Sequence, residues 1–329
     1  MNLQDQYNTL MTGDFDKSKE MVYQLHEDYP WDNDIAFNCG WAKLSDGDIV
    51  EGYTLLDRGR EKGPNGWVWG DHEFKSSQPV WRGTPNKTVL LRLERGLGDQ
   101  YHQVRYAREL KAKGCTTVVS CSPQLAEVIR HAEGVDVVVE HGAALGVYHD
   151  FHLPAMSSPM YMGAESVRGT PYIARPPVDV VPGRVGLCWQ GNVAYENQTK
   201  RKFPAELLFN TVKGRAPSFI NLQKDDGIEH RPDWVELVDL SSWVATAKAM
   251  ASCELIITSC TSIAHLAGAM GIPTIVIVPM VPYYLWSLPG HQTPYYDSVM
   301  LLRQTNADEW LDPFKALATV LEGRLSDAA

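Results

Sequence analysis

Three segments of the 329-residue chain combine residue types and spacings that could do chemistry. The first is Glu94-Arg95-Gly96-Leu97-Gly98-Asp99-Gln100, which follows a hydrophobic run. Glycines after a buried strand let a ligand approach the backbone, and a following helix offers N–H groups. Asp99 could act as a general base that takes a proton from an attacking hydroxyl, or it could be a helix N-cap. Spacing alone leaves both alternatives open.

A dinucleotide site is the main competitor for this first segment. Only Gly96 and Gly98 fit the glycine series of such a site. The next predicted strand ends in Ser120-Cys121, without the acidic residue that would bind a ribose. The segment therefore argues against hydride transfer with a nicotinamide cofactor.

The second segment, Gly186-Leu-Cys-Trp-Gln-Gly-Asn192, is a strand that opens into a polar loop. Asn197 and three cations follow it, namely Lys200, Arg201 and Lys202. This arrangement suits a phosphate-bearing ligand. Solvated surface charge is the alternative that local sequence leaves open.

The third segment runs from Thr258 to Gly271 and places Thr261 and Ser262 at a predicted helix start. Hydroxyls, free N–H groups and the helix dipole together suit a diphosphate, whereas simple capping needs only one hydroxyl. His265 follows Thr261 by about one helical turn. It could face the same ligand or be a packed core residue.

Alternating strand and helix patterns must position these segments. Before a proline-rich stretch at 171–182 we predict strands at 88–93, 117–120, 135–139 and 150–154, with helices at 99–113 and 123–131. After it we predict strands at 184–189, 218–222, 235–240, 254–258 and 274–278, with helices at 204–213, 243–252, 261–270 and 307–322. Two parallel-sheet halves with a ligand cleft between them are expected.

The N-terminal region contains a repeat. Gly13-Asp14-Phe15 recurs as Gly47-Asp48-Ile49, an offset of 34 residues, with hydrophobic residues at helical spacing after each. This is the tetratricopeptide period and predicts such repeats over about residues 3–62; an unrelated helical hairpin is the alternative. The unit should pack on the rest of the chain or on a partner. Its aspartate pairs (Asp14/Asp16, Asp32/Asp34 and Asp46/Asp48) are expected to cap helices, although they imitate a metal-binding motif.

Composition and charge narrow the class of protein. The chain is 44% hydrophobic, which excludes a disordered protein, and its 30 basic and 40 acidic residues give a net charge of −10. Residues 1–80 hold 15 acids and 7 bases, so the net charge of the remaining residues is close to zero.

No signal peptide or membrane-spanning run is apparent, and we expect a cytoplasmic protein. The six cysteines show no metal or disulfide spacing and are expected to be reduced and buried. The stretch 63–83 predicts a loop packed by aromatic side chains.

Together the motifs resemble a known family. The order GLGD (96–99), GLCWQGN (186–192), NLQ (221–223) and SCTSIAHLAGAMGIPTIVIVP (259–279) is similar to the glycosyltransferases that include the ADP-heptose lipopolysaccharide heptosyltransferases. The branch that carries tetratricopeptide repeats ahead of the transferase is the closer match, and the resemblance covers about residues 33–322.

The resemblance implies an α/β fold of the GT-B type, with two facing Rossmann-like domains behind a short helical segment. The implied boundaries are a tetratricopeptide-like segment at 1–66, a connecting loop at 67–86, an acceptor domain at 87–180 and a nucleotide-sugar donor domain at 181–329.

The resemblance also implies metal-independent, inverting glycosyl transfer from a nucleotide-diphosphate sugar to a hydroxyl, with no cofactor. It makes Asp99 the catalytic base, on an acceptor-side loop with Gly96, Gly98 and Gln100. The donor and its diphosphate would be bound by Asn192, Arg201, Gln223, Lys224, Cys260, Thr261, Ser262 and His265.

The chain departs from the family pattern at two places. Cys260 stands where the family usually has an aspartate that is thought to contact the donor sugar, and Gln198-Thr199 replaces a common Asp-Arg pair. The identity of the sugar is therefore open, as is the acceptor: a glycan, a protein or a hydroxymethylated DNA base. The helical repeat is expected to be either a docking surface for a protein partner or a brace for the domains. The alternative function is a non-catalytic nucleotide-sugar-binding or scaffold protein derived from a glycosyltransferase.

Overall fold

The computed structural model describes residues 1–60, 69–70, 76–192, 201–307 and 309–327, with side chains up to residue 323 at the C-terminal end. The chain divides into two units. The first comprises Met1–Arg168 together with Tyr283–Pro289, and the second comprises Gly169–Pro282 and Gly290–Ala329.

The first unit begins with four helices: α1 (Leu3–Met11), α2 (Phe15–Asp28), α3 (Asn33–Ser45) and α4 (Ile49–Asp57), which ends in a 3-10 turn at Arg58–Arg60. The turns that join α1 to α2 and α3 to α4 contain Gly13 and Gly47, both with φ +86°, a conformation that favours glycine. The predicted recurrence of the turn after 34 residues is thus seen in the backbone. A kinship with tetratricopeptide repeats stays a prediction.

The aspartate pairs have different roles. The carboxylates of Asp14 and Asp32 accept hydrogen bonds from backbone N–H groups in the first turns of α2 and α3, as predicted. Asp48 precedes α4 but its side chain makes no capping bond. Asp46 accepts hydrogen bonds from Lys19 (2.7 Å) and Tyr23 (2.6 Å) instead. Capping therefore explains only part of this acidic pattern, and Asp46 makes contacts between helices instead.

A four-stranded parallel sheet follows in the first unit. Its strands are β1 (Thr88–Arg92), β2 (Thr116–Cys121), β3 (Val137–Glu140) and β4 (Phe151–Pro154), in the order β3-β2-β1-β4. The helices among them are α5 (Leu97–Gln103), α6 (Tyr106–Ala112), α7 (Ala126–Ile129) and α8 (Ser158–Met162). The helix predicted at 99–113 is divided into α5 and α6, and most of the predicted 123–131 helix is a 3-10 turn followed by α7.

The second unit contains a five-stranded parallel sheet in the order β6-β5-β7-β8-β9. The strands are β5 (Arg184–Cys188), β6 (Ser218–Asn221), β7 (Leu255–Ser259), β8 (Thr274–Val278) and β9 (Val299–Arg303). The helices are α9 (Ala205–Val212), α10 (Trp243–Ala251), α11 (Ser262–Ala269) and α12 (Leu311–Asp327). Hydrophobic residues of the strands form the core with α9 and α12, for example Leu187, Ile257, Ile275, Leu208 and Leu317.

One strand prediction was wrong in this unit, and one strand was missed. Residues 235–240 form no strand, because only Glu236 pairs with the sheet, through an isolated bridge to Ile220. The fifth strand is β9 instead, a segment for which no element was predicted. β9 pairs along its whole length with β8, so the sheet extends by a parallel strand at that edge.

The proline-rich stretch packs on the second unit. The backbone N–H groups of Tyr172 and Ile173 donate to the carbonyl of Ala269 (2.9 and 3.0 Å), and Arg175 Nε donates to the carbonyl of Met270 (2.8 Å). This explains why the unit boundary falls after Arg168, whereas the sequence placed the domain boundary after residue 180.

Other bulk features agree with the sequence. None of the six cysteines forms a disulfide, and all six are buried. Trp69 and Trp81 of the predicted aromatic loop are buried. Residues 63–68 and 71–75 of that loop lie outside the described residues. None of the helices described here has the length and hydrophobicity needed to cross a bilayer.

Candidate functional site

The loop after β1 positions the predicted base. β1 ends at Arg92, the backbone at Arg95 is left-handed (φ +64°), and α5 begins at Leu97 with Gly96 as its N-cap. Asp99 is therefore the third residue of the helix, not its cap. Its Oδ2 accepts a hydrogen bond from the Gly96 N–H (3.1 Å), and its Oδ1 accepts one from the Tyr283 hydroxyl (3.0 Å). The half-buried carboxylate is held at both oxygens.

Gln100 braces this loop from inside. Its Nε2 donates to the Arg95 carbonyl (3.0 Å) and to Ser122 Oγ (2.9 Å), and its Oε1 accepts from the Ser122 N–H (2.8 Å). The side chain is buried and joins the loops that follow β1 and β2. Its observed contacts thus support the left-handed turn at Arg95. Gly96 supplies the N–H that Asp99 binds, and Gly98 lies half-buried in the first turn.

A buried ion pair fixes the start of the same loop, and the sequence analysis missed it. The Glu94 side chain is 1% exposed and binds Arg60 through both oxygens, with Nη1–Oε1 2.6 Å and Nη2–Oε2 2.7 Å. Met156 N–H also donates to Oε2 (3.0 Å). Burial alone would lower the pKa of Arg60, but the attraction of Glu94 outweighs it and raises that pKa. The only sequence signal was an acidic residue directly after a buried strand.

Tyr283 is the second residue that sequence reasoning missed. It begins the segment Tyr283–Pro289, which belongs to the first unit although β8 and β9 on either side of it belong to the second. Its ring contacts Trp41 of α3 (centroids 5.8 Å apart) and Tyr284 (4.5 Å). The buried Tyr284 ring also packs against Trp41, Tyr53 and Trp69. These five rings (Trp41, Tyr53, Trp69, Tyr283 and Tyr284) form what we call the aromatic cluster.

The second unit brings three loops to one edge of its sheet. β6, β5 and β7 are neighbours in a parallel sheet, so the loops after them emerge at the same edge. Gln223 joins two of these loops. Its Oε1 accepts from the N–H groups of Trp189 (3.0 Å) and Gln190 (2.9 Å), and its Nε2 donates to the carbonyls of Gln190 (2.9 Å) and Asp226 (2.7 Å). The buried amide is thus occupied by the protein, and it shapes the loops.

The start of α11 carries the two predicted hydroxyls. Thr261 is the N-cap residue, but its side chain makes no capping hydrogen bond. Its Oγ1 lies 3.2 Å from Thr258 Oγ1 and 3.8 Å from Cys188 Sγ. Ser262 is the first residue of the helix, and both hydroxyl residues are half-buried. A helix start with hydroxyls that do not cap it retains backbone donors for an anion.

Positive charge lies beside this helix start. Arg201 Nη1 donates to the carbonyl of Cys260 (3.1 Å), the residue before Thr261. Lys224 is exposed on the loop after β6, and Asn192 is exposed on the loop after β5. The predicted Asn197, Lys200 and the Gln198-Thr199 departure lie outside the described residues. The structure therefore brings Arg201 to Cys260 and Thr261, and it places Asn192 and Lys224 on neighbouring loops.

His265 lies in a packed environment. Its side chain is buried, and Nδ1 is 3.0 Å from the Tyr296 hydroxyl. The two rings lie 5.9 Å apart at their centroids. One ring nitrogen is therefore paired with Tyr296, which is the arrangement expected of a core histidine.

The described residues include no group of three His, Cys, Asp or Glu side chains that could hold a metal ion. The Asp99 carboxylate lies on the loop after β1 in the first unit, and hydroxyls, backbone N–H groups and the Arg201 guanidinium lie at the start of α11 in the second unit. Such a set can accept a proton at one place and bind an anion at another.

The fold is shared with two solved glycosyltransferase structures. The E. coli ADP-heptose lps heptosyltransferase II superposes with a TM-score of 0.50 at 11% identity, over 74% of this chain and 100% of that one. The iron-containing dodecameric glycosyltransferase TibC from enterotoxigenic E. coli H10407 gives a TM-score of 0.50 at 13% identity, over 76% of this chain and 78% of that one. The predicted α/β fold of the GT-B type, with a helical segment in front, is confirmed at the level of these elements. No family model and no curated protein matches the sequence.

Proposed function

We propose that the protein is a glycosyltransferase that moves a sugar from a nucleotide-diphosphate donor to an acceptor hydroxyl. The observation that carries the proposal is the start of α11. Thr261 and Ser262 supply hydroxyls there, the first turn supplies backbone N–H groups, and Arg201 supplies a positive charge. A diphosphate is the ligand that such a set suits best. Asp99 supplies the second group that the reaction needs, a fixed carboxylate.

The proposed reaction is a displacement with inversion at the anomeric carbon. Asp99 takes the proton of the acceptor hydroxyl as its oxygen forms a bond to that carbon. The bond from the carbon to the diphosphate oxygen breaks, and the electron pair leaves with the nucleoside diphosphate. A positioned base contributes roughly 10²–10⁴-fold to such a rate. The helix start and Arg201 stabilise the charge that develops on the leaving group.

We propose that this charge stabilisation needs no metal ion. Arg201 and the N–H groups of α11 would do what a divalent cation does in other transferases. TibC is described as iron-containing, so the point calls for a direct measurement. Turnover by protein stripped with a chelator should equal that of untreated protein. Loss of turnover that added iron restores would contradict this part of the proposal.

Cys260 favours a second candidate, a binding protein without turnover. The cysteine is buried. By the family resemblance, it stands where an aspartate that is thought to contact the donor sugar is usual. A thiol is a weaker hydrogen-bond partner than a carboxylate, so sugar binding at this point is altered. Calorimetric binding of a nucleotide sugar without turnover on glycan, protein or hydroxymethylated DNA acceptors would support this candidate.

The proposal is tested by incubating the purified protein with a panel of nucleotide sugars and acceptors while nucleoside diphosphate release is measured. Asp99→Asn should lower kcat by about 10²-fold or more and leave donor binding unchanged. Asp150→Asn is the matched control, because the Asp150 carboxylate also accepts one backbone N–H (Thr88) and one tyrosine hydroxyl (Tyr148). Unchanged turnover in Asp99→Asn would remove Asp99 as the base.

A further inference from the structure

We infer that Tyr283 is a positioning residue for Asp99, and that the N-terminal helical segment holds Tyr283 in place through Trp41. The inference rests on the proposed function, because it assumes that Asp99 is the base. It assigns the helical segment a part in building the site, beyond any role as a docking surface.

The first step of the argument is the way Asp99 is held. One oxygen binds the Gly96 N–H of its own turn, and the other binds the hydroxyl of Tyr283, 184 positions further along the chain. Rotation of the carboxylate would break at least one of these bonds. Two donors on different oxygens therefore fix the plane of the carboxylate, and a base is most effective when its geometry is set before the substrate arrives.

The second step is the way Tyr283 is held. Its ring meets the edge of Trp41 at an interplanar angle of 81°, and Tyr284 packs on it at 4.5 Å. Such ring contacts add stabilisation beyond that of the buried area. The hydroxyl is consequently delivered to Asp99 by a ring that has few alternative positions.

The third step is the way Trp41 is held by the helical segment. Trp41 belongs to α3, and α3 packs closely on α4 at Gly40, where an added Cβ would lie 2.7 Å from the Gly52 carbonyl oxygen. Phe37 of α3 also contacts both Trp41 and Trp69. The helical segment thus fixes the aromatic cluster, the cluster fixes Tyr283, and Tyr283 fixes Asp99. All members of this chain of contacts belong to the first unit.

The same unit contains a second tyrosine–aspartate pair, Tyr148 and Asp150, with the same kinds of hydrogen bond. It lies at the other end of the strands, where β1 and β4 begin. Tyr148 donates to Asp150 Oδ1 (2.8 Å), and the Thr88 N–H donates to Oδ2 (2.8 Å). There the backbone hydrogen bond from Thr88, followed by that from Tyr148, lowers the pKa of Asp150. The other ionisable groups on the Asp99 loop are Glu94, paired with Arg60, and Arg95, which is exposed; neither is altered by the test.

The test compares Tyr283→Phe with Tyr148→Phe. Loss of the Tyr283 hydroxyl removes a donor that favours the ionised carboxylate, so the acidic limb of the pH–rate profile should move upward by about one pH unit. We expect kcat to fall about tenfold and the donor KM to stay within about twofold. Trp41→Leu should shift the limb in the same direction, and Tyr148→Phe should leave profile and kcat unchanged.

A second readout does not depend on turnover. The titration of the Asp99 carboxyl carbon is followed by ¹³C NMR and assigned by its absence in Asp99→Asn. Its midpoint should rise in Tyr283→Phe and stay constant in Tyr148→Phe. An unmoved midpoint in Tyr283→Phe would overturn the inference. A shifted midpoint in a protein that turns over no donor would support the coupling and reject the proposed function instead.

Discussion

Arg60 and Glu94 form a bidentate ion pair, with both N–O distances between 2.6 and 2.7 Å. Arg60 closes the 3-10 turn after α4, and Glu94 opens the loop that contains Asp99. Asp57 also accepts from Arg60 Nε (2.7 Å), so the guanidinium is bound on two sides. The helical segment is therefore connected to the Asp99 loop by charge as well as by the aromatic cluster.

Replacing Arg60 by methionine should lower the free energy of unfolding by about 3–5 kcal/mol, because the buried Glu94 carboxylate loses its counter-charge. Urea denaturation measures this change. Lys19→Met is the control, since the partly exposed Lys19–Asp46 pair should contribute only about 0–1 kcal/mol. An Arg60→Met loss no larger than that of the control would show that the pair does not stabilise the unit.

Gly40→Ala should separate α3 from α4. The new Cβ would lie 2.7 Å from two backbone atoms, the Gly52 oxygen and the Leu56 nitrogen, which can move only if a helix moves. We expect a loss of about 1–3 kcal/mol in the free energy of unfolding, and a lower kcat because Trp41 is the next residue. In Gly142→Ala the added carbon meets no atom within 4 Å, so that variant should behave as wild type. Equal stability of the two variants would contradict the close packing.

Gln223→Leu should weaken donor binding through the loops that Gln223 joins. The buried N–H groups of Trp189 and Gln190 would lose their acceptor, at a cost of about 1–3 kcal/mol for each group in the free energy of unfolding. Calorimetry with a nucleotide sugar and urea denaturation should both report a loss. Lys224→Met, on the same loop but exposed, should weaken donor binding without changing stability. A Gln223→Leu variant that binds the donor normally would exclude this loop-shaping role.

Strands with uniform hydrophobic runs were the most predictable part of the fold. Thr274–Val278 is fully buried and was predicted with its observed bounds, because a run of β-branched residues leaves little choice. Residues 235–240 show the opposite case. Val235 is buried but Leu237 is 60% exposed, so a similar hydrophobic pattern there belongs to a loop that only touches the sheet. β9 was missed because its Met and Leu residues favour a helix as readily as a strand, and its pairing with β8 is visible only in the structure.

The residues of the candidate site also fall into two groups, those that the sequence predicted and those that only the structure shows. Asp99, Thr261 and Ser262 stand in local motifs that a strand–turn–helix pattern makes visible. Tyr283 and Arg60 lie far along the chain from the groups they contact, and nothing in VPYYLWSLP or LDRGR indicates a carboxylate partner. Such contacts depend on tertiary packing, which no local pattern contains. Gln223 was found by its motif, but its bonds to Trp189 and Gln190 were visible only in the structure.

The path of the chain limits how such a protein can be recombined. Because Tyr283–Pro289 belongs to the first unit, the chain passes between the units three times, at residues 168–169, 282–283 and 289–290. Suppose that a chimaera joined residues 1–168 of this protein to everything after residue 168 of another. Its residues 283–289 would then come from the other protein, although they pack in the aromatic cluster of the first unit. Chimaeras with a new second unit should therefore retain this protein's own residues 283–289.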